Sequence, residues 1–343
     1  IGGEAIDFRV SFCPAYHGES IVLRILRPDA AKIGLGHLGM QEDTLEHFHE
    51  IINRPNGIFL VTGPTGSGKT TTLYSALQEL NRPDRKIITA EDPIEYNFKG
   101  INQCQVQHDI GMTFQAILRS MLRQAPNIIL VGEMRDLETT AAAITAAETG
   151  HLVFSTLHTV NASHTVERII DMYPADQQNQ IRSMLANTLQ AVVSQTLFKR
   201  IDAKGRVPAV EVTPCTPAVR DLIRANRAFE IPNVIETSRQ LGMNSLDNSI
   251  AELFFNGMIS KEDAIAQAAY PEKLERALAA WWVGRARLSV ATVLFDARED
   301  RVRHPANGEW NANLSLPDAH RRGRSLGRDH RRRERTQRGA AAT

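Results

Sequence analysis

The sequence predicts an α/β fold on a mainly parallel sheet. Two observations carry that expectation. Between Gly57 and Arg200, short apolar runs alternate with segments of helical periodicity, an order that lays parallel strands side by side with helices between them. At one strand-to-helix junction, Gly63-Pro64-Thr65-Gly66-Ser67-Gly68-Lys69-Thr70 fits the pattern G-x-x-x-x-G-K-[ST].

In chain order, Asp7 to Val10 and Ser20 to Leu26 read as strands, and residues 1–33 as the C-terminal part of an α+β domain whose earlier portion precedes Ile1. Residues 34–56 are expected to hold a linker and a first helix. The core is expected at 57–200. In it Ile58–Thr62, Lys86–Ala90, Asn127–Val131 and Leu152–Ser155 read as buried strands. Leu73, Leu77 and Leu80 fall on one face of a helix over Thr71–Leu80, with further helices at Thr113–Gln124 and Leu137–Thr149. Asp176 to Phe198 is read as one long helix. Residues 201–275 are expected to form a small, mainly helical subdomain centred on Ala218 to Tyr270. From 276 to 343 the sequence becomes a low-complexity basic tail, with nine arginines between Arg321 and Arg338.

Composition narrows the function classes. The 343 residues are 42% hydrophobic and 23% charged, with a formal net charge of +1, so the chain as a whole does not advertise nucleic-acid binding. No apolar run reaches the roughly 18 residues of a membrane span, and no secretory signal opens the chain. Cys13, Cys104 and Cys215 stand alone, with no CxxC pair, so neither a disulfide framework nor a cysteine zinc site is expected, and a reducing cytoplasm is the natural compartment.

The glycine-rich segment carries the chemistry. Glycines let the backbone wrap so that its amides point at phosphate oxygens. Lys69 would reach the β- and γ-phosphates, the Thr70 hydroxyl would hold Mg²⁺, and the following helix adds its positive N-terminal end. Hydrolysis also needs a carboxylate at a strand end. Asn127-Ile128-Ile129-Leu130-Val131-Gly132-Glu133 is an apolar strand closing on an acid, and Glu91, Asp92 and Glu95 follow another strand. His151 and His158 bracket a further strand, and no third ligand beside them suggests a metal pair.

Four segments together resemble the secretion ATPases of type II secretion and of type IV pilus assembly and retraction, over roughly residues 5 to 275. Gly57 to Thr62 with the phosphate loop and Thr71-Thr72-Leu73-Tyr74 is similar to that family's Walker A region. Ile88-Thr89-Ala90-Glu91-Asp92-Pro93-Ile94-Glu95-Tyr96 resembles its aspartate box, Asn127 through Asp136 its Walker B with Glu in place of Asp, and Thr149-Gly150-His151 through Leu157-His158-Thr159 its histidine box.

The resemblance implies a RecA-like core and a hexameric, Mg²⁺-dependent motor that hydrolyses ATP to drive pilus assembly or retraction or type II secretion. It would work in the cytoplasm, peripheral to the inner membrane, beside an inner-membrane platform protein, and no specific nucleic acid is expected. Gly63 through Thr71 would bind the nucleotide. Glu133 would support Mg²⁺ and water, an aspartate-box carboxylate, Glu95 ahead of Glu91, would act on the water, and His151 and His158 would sense the γ-phosphate. Arg9 and Arg24 occupy the positions of the arginines that reach the phosphates from the N-terminal domain.

Three features depart from the family pattern. The paired CxxC motifs of many assembly and secretion members are missing, so no zinc is expected. Ala218-Val219-Arg220-Asp221-Leu222-Ile223-Arg224-Ala225 is similar to a segment of retraction ATPases. Ala125-Pro126-Asn127 replaces the usual Asp-Pro-Asp. The basic tail motivates an alternative, a nucleic-acid-dependent translocation ATPase on a related core, and a non-hydrolysing nucleotide-bound scaffold is a third reading.

Overall fold

The computed structural model describes residues 7–26, 33–276 and 278–279, all within one unit, Ile1–Gly284. The expected basic tail therefore lies almost wholly outside the described residues. The chain begins with strands β1 (Asp7–Ala15) and β2 (Gly18–Leu26), then helix α1 (Glu42–Ile52). Next come β3 (Gly57–Thr62), α2 (Lys69–Leu80), β4 (Ile87–Glu91), β5 (Ile101–Gln105), α3 (Phe114–Met121) and β6 (Ile128–Val131). They are followed by α4 (Leu137–Glu148), β7 (Leu152–Leu157), α5 (Ala162–Asp171), α6 (Gln178–Thr188), β8 (Leu189–Lys199) and β9 (Arg206–Pro214). Helices α7 (Pro217–Arg224), α8 (Ile231–Thr237), α9 (Leu246–Phe255) and α10 (Lys261–Gln267) follow, and residues 271–276 are helical as well.

Seven strands form one sheet in the order β5-β4-β6-β7-β3-β8-β9. Every neighbouring pair is parallel except β8 with β9. Non-consecutive neighbours on both sides of β3 require crossovers on both faces, and residues of β3 alternate between two apolar layers. Ile58 and Leu60 pack with α3 to α8, while Phe59 and Val61 pack with α1 and α2. All six β3 residues are buried, and each fully buried aliphatic or aromatic side chain contributes about 1.5–3 kcal/mol. This is the RecA-like α/β arrangement. The pair β1–β2 is a separate antiparallel hairpin.

Side chains set where the helices start. Thr113, Asp136 and Asn161 accept from the backbone N–H three residues on, at Ala116, Thr139 and His164, and so cap α3, α4 and α5.

Two sequence expectations change. The long helix over Asp176 to Phe198 is a helix and a strand joined without a loop: α6 ends at Thr188 and β8 begins at Leu189. The spacing Ile181, Leu185, Leu189, Val193 keeps a four-residue helical rhythm across the junction. A strand buried between β3 and β9 has both faces covered, carries buried residues on each, and so loses the alternation that would have announced it. The core sheet also continues past residue 200, because β9 is its edge strand. Pro208 lies within β9, where the edge position tolerates the missing N–H. Of the C-terminal helices, α7 and α8 place Val219, Ile223, Ile231 and Ile235 in the same apolar layer as the core. Residues of α9 and α10 pack on Phe198, Val207 and Ala209 at the end of the β8–β9 hairpin.

Candidate nucleotide site

All parallel strands finish on the same rim, so the segments leaving them converge. Register makes this concrete: Thr62 pairs with Leu157, so Gly63 and His158 leave the sheet side by side, and Val131 pairs with Ala90 on one side and Ser155 on the other. The result is a cleft of about 490 Å³ lined by Gly66, Gly68, Lys69 and Thr70 of the loop, by Glu91 and Glu95, by Glu133 and Arg135, and by His158 and Arg24.

The loop needs its glycines. Gly63 has φ +138, and a Cβ there would stand 2.1 Å from Gln195 O. Gly68, the residue before α2, has φ +90, in the left-handed region that side chains resist. Lys69 Nζ donates to Gly63 O at 2.7 Å and Pro64 O at 3.0 Å. Burial pulls its pKa down and the nearby Glu133 charge opposes that shift. Ser67 Oγ is buried with no hydrogen-bond partner. Thr70 and Thr71 line the cleft, as does Thr65, while Pro64 faces a different cavity.

The acids differ sharply in surroundings. Glu133 is only 13% exposed, with its Oε2 2.6 Å from Arg135 Nε and 3.5 Å from His158 Nε2. Glu91 is buried and accepts from Thr89 Oγ1 at 2.5 Å, from Gln103 Nε2 at 3.1 Å and from the Tyr74 hydroxyl. The Tyr74 phenol is held protonated by burial first and by the Glu91 charge second. With three donors on its oxygens Glu91 braces α2, β4 and β5 while also lining the cleft, whereas Glu95 carries no such set of donors. Glu95 is accessible from the cleft, and its pKa is raised, by desolvation first and Glu91 second, against the opposing charges of Arg24 and Arg9. Those two arginines reach it together because they face each other across the β1–β2 hairpin, Arg9 opposite Arg24, on one face of the ribbon.

His158 stands at the cleft; His151 does not. Strand β7 lies between them, and the seven steps from 151 to 158 at about 3.3 Å each put the two histidines about 23 Å apart. His151 instead sits at the opposite rim, its Nδ1 2.9 Å from Ala146 O and 3.2 Å from Thr149 Oγ1. Its expected role at the γ-phosphate is corrected accordingly. Three contributors are missed by the sequence reading. Arg135 is the one within its reach, two residues past Glu133. Thr156 Oγ1 donates to Gly132 O at 2.7 Å and ties β7 to the turn carrying Glu133, and Tyr74 stands in the sequence only within the Walker A resemblance, with no sign along the chain of its contact with Glu91.

The donor set suits a nucleoside triphosphate with a hard divalent cation: loop amides and Lys69 for phosphate, and the oxygens of Thr70 and Glu133 for Mg²⁺. Among the described residues no three His, Cys, Asp or Glu side chains gather as a metal site of their own, and no helix is long and apolar enough to cross a membrane.

The profile of the Type II/IV secretion system protein family matches residues 1–263. The chain belongs to that family. Among curated relatives, the type IV pilus retraction ATPase PilT of Pseudomonas aeruginosa is 45% identical over 270 residues, covering 77% of this chain and 76% of PilT. Type II secretion system protein E of Xanthomonas campestris is 49% identical over 202 residues, covering 59% of this chain and 35% of the relative. The chain thus spans three quarters of the first relative and about a third of the second. A crystal structure of the pilus retraction motor PilT with bound ADP superimposes with a TM-score of 0.69 at 40% identity, covering 78% of this chain and 76% of that one. Homologues are therefore pilus retraction and secretion ATPases, and nothing in these comparisons supports the nucleic-acid alternative.

Proposed function

We propose that the chain is the ATP-hydrolysing motor subunit of a type IV pilus or type II secretion machine. The observation that carries this reading is the convergence of Lys69, Thr70, Glu133 and His158 on one rim of a parallel sheet, with Arg24 of the hairpin facing the same cleft.

The loop amides and Lys69 bind the phosphates of ATP. Thr70 and Glu133 would hold Mg²⁺, which would supply neutralisation of phosphate charge. Glu133 and Glu95 are the carboxylates able to orient water and take its proton. Glu95 suits the proton transfer because burial and Glu91 move its pKa upward, toward the working pH. Arg135 and His158 hold Glu133 in place, and His158 lies near enough to respond to phosphate charge. Arg9 and Arg24 offer guanidinium groups to that charge from outside the core. In this reading the subunits form a homo-hexamer that moves domains on hydrolysis, in the cytoplasm against an inner-membrane platform protein, with the seven-stranded sheet, β9 included, as the motor core and the C-terminal helices as the part that carries movement outward.

The test is Mg²⁺-ATP hydrolysis measured against protein concentration for the chain, for Lys69→Ala and for the double variant Arg9→Ala, Arg24→Ala. Specific activity should rise with concentration, and both variants should lose it. Activity that is flat with concentration and indifferent to the arginines would sink the ring motor and leave a self-contained ATPase.

A further inference from the structure

Gln195, on β8, is buried and stands outside the nucleotide cleft, yet it holds the phosphate loop from behind. Its Nε2 donates to Ser67 O at 2.6 Å, and its Oε1 accepts from the Thr72 hydroxyl at 2.9 Å. One side-chain amide therefore spans the segment between Ser67 and Thr72, which contains Gly68, Lys69, Thr70 and Thr71. The backbone oxygen of the same residue occupies the space a side chain at Gly63 would need, 2.1 Å from the position of its Cβ. Gln195 thus meets the loop at both ends.

Residue type matters here. A primary amide offers a donor and an acceptor at a fixed spacing, and this site uses one of each. A carboxylate in the same place would keep the Thr72 contact but turn its second oxygen against Ser67 O, acceptor against acceptor, behind the phosphates. The strand is anchored on its other side as well, since Thr196 Oγ1 donates to Gln267 Oε1 at 2.8 Å. Gln195 also shares a cavity of about 370 Å³ with Pro64 of the loop and with Leu246 and Ala268 of the C-terminal region.

We propose that Gln195 is a positioning residue for ATP: it fixes the distance between Ser67 and Thr72, so that the intervening amides and Lys69 meet the phosphates already ordered. A loop whose glycines adopt left-handed conformations is free to rearrange. Without the tie, binding must supply the ordering itself, and affinity falls. The inference rests on the nucleotide-binding reading given above.

The experiment compares ATP affinity by calorimetry, steady-state kcat and the thermal unfolding midpoint for the full chain, Gln195→Leu, Thr72→Val, their double variant and Lys69→Ala. Gln195→Leu should raise the Kd for ATP about tenfold, in keeping with the loss of two hydrogen bonds, and leave kcat at saturation within about threefold. Thr72→Val should raise Kd about threefold, and the double variant should match Gln195→Leu rather than add to it. Wild-type affinity in Gln195→Leu, with only a lowered unfolding midpoint, would make the contact purely structural and overturn the proposal. Should Gln195→Leu not fold, Thr72→Val carries the test, and unaltered affinity there overturns it equally. If the full chain and Lys69→Ala bind ATP alike, the nucleotide reading itself fails and the inference falls with it; that result is distinct from a change confined to Gln195.

Discussion

Strands β3, β4, β6 and β7 begin at one rim of the sheet and end at the other, and the two rims treat similar residues differently. At the starting rim, polar side chains are used up on backbone. Asn127 Oδ1 accepts from Lys86 N at 2.7 Å, Lys86 Nζ donates to Gln124 O at 2.5 Å, and His151 lies against Ala146 O at 2.9 Å. At the finishing rim, Glu133, Arg135 and His158 contact one another and face a cleft shared with Lys69 and Thr70. Chemistry collects there because segments leaving parallel strands all emerge on one side, where the following helix also points its free N–H groups. A histidine at the start of β7 staples; a histidine at its end can respond to a ligand.

The largest expected effect breaks the finishing rim. Glu133→Gln keeps the shape and removes the charge, so ATP binding should persist while kcat falls about 100-fold or more. Normal turnover in that variant would remove Glu133 from the chemistry. The next contrast sets the two histidines against each other. His158→Asn should lower kcat about tenfold, in keeping with loss of one polar group at the reacting phosphate, whereas His151→Asn should stay within about twofold of wild type. Equal losses would mean that the opposite rim reaches the site after all.

A third comparison uses stability. Glu211 is buried on β9, accepts from Ala162 N at 2.8 Å at the start of α5, and has its pKa pushed up to about 7, by burial first. Its folded-state pKa lies above the ordinary value, so its stabilising contribution is complete below about pH 4.5 and is lost as pH rises to about 7. Glu211→Gln cannot titrate. Denaturant unfolding of the two proteins between pH 4.5 and 8 should show the wild type losing about 3 kcal/mol relative to the variant as pH rises. Parallel curves would mean that Glu211 stays charged throughout.

The smallest effect belongs to the starting rim. Ala125 has φ +48, a left-handed conformation that costs an alanine about 1–2 kcal/mol. Asparagine tolerates that region better. Ala125→Asn should therefore raise the unfolding midpoint by about 1–3 °C without touching ATP turnover. An unchanged or lower midpoint would show that the backbone at 125 is not strained. The neighbouring departure is already compensated: Asn127 supplies the acceptor oxygen that an aspartate there would offer.

Much of the site can be read along the chain because its parts are local. A phosphate loop needs particular residues at fixed offsets, and its strand and helix are contiguous with it. Glu133 announces itself as an acid closing an apolar run. The histidine pair is legible as a pair but not by role, since chain distance does not say which end of a strand faces the ligand. Glu91 and Glu95 are separated only by their neighbours, and those come from α2, β5 and the hairpin. Gln195 gives no signal, lying in what reads as the continuation of a helix.

Local physics alone determined the loop, the run of strands and helices, and the identity of the groups able to meet phosphate and cation. These follow from steric preference, periodicity and residue chemistry within a few positions. Tertiary structure decided which carboxylate is braced and which is available, which histidine stands at the cleft, and that residues 189–199 extend the sheet. Each of those depends on partners distant in sequence: burial between β3 and β9 selects strand over helix, and strand direction sends His158 to one rim and His151 to the other.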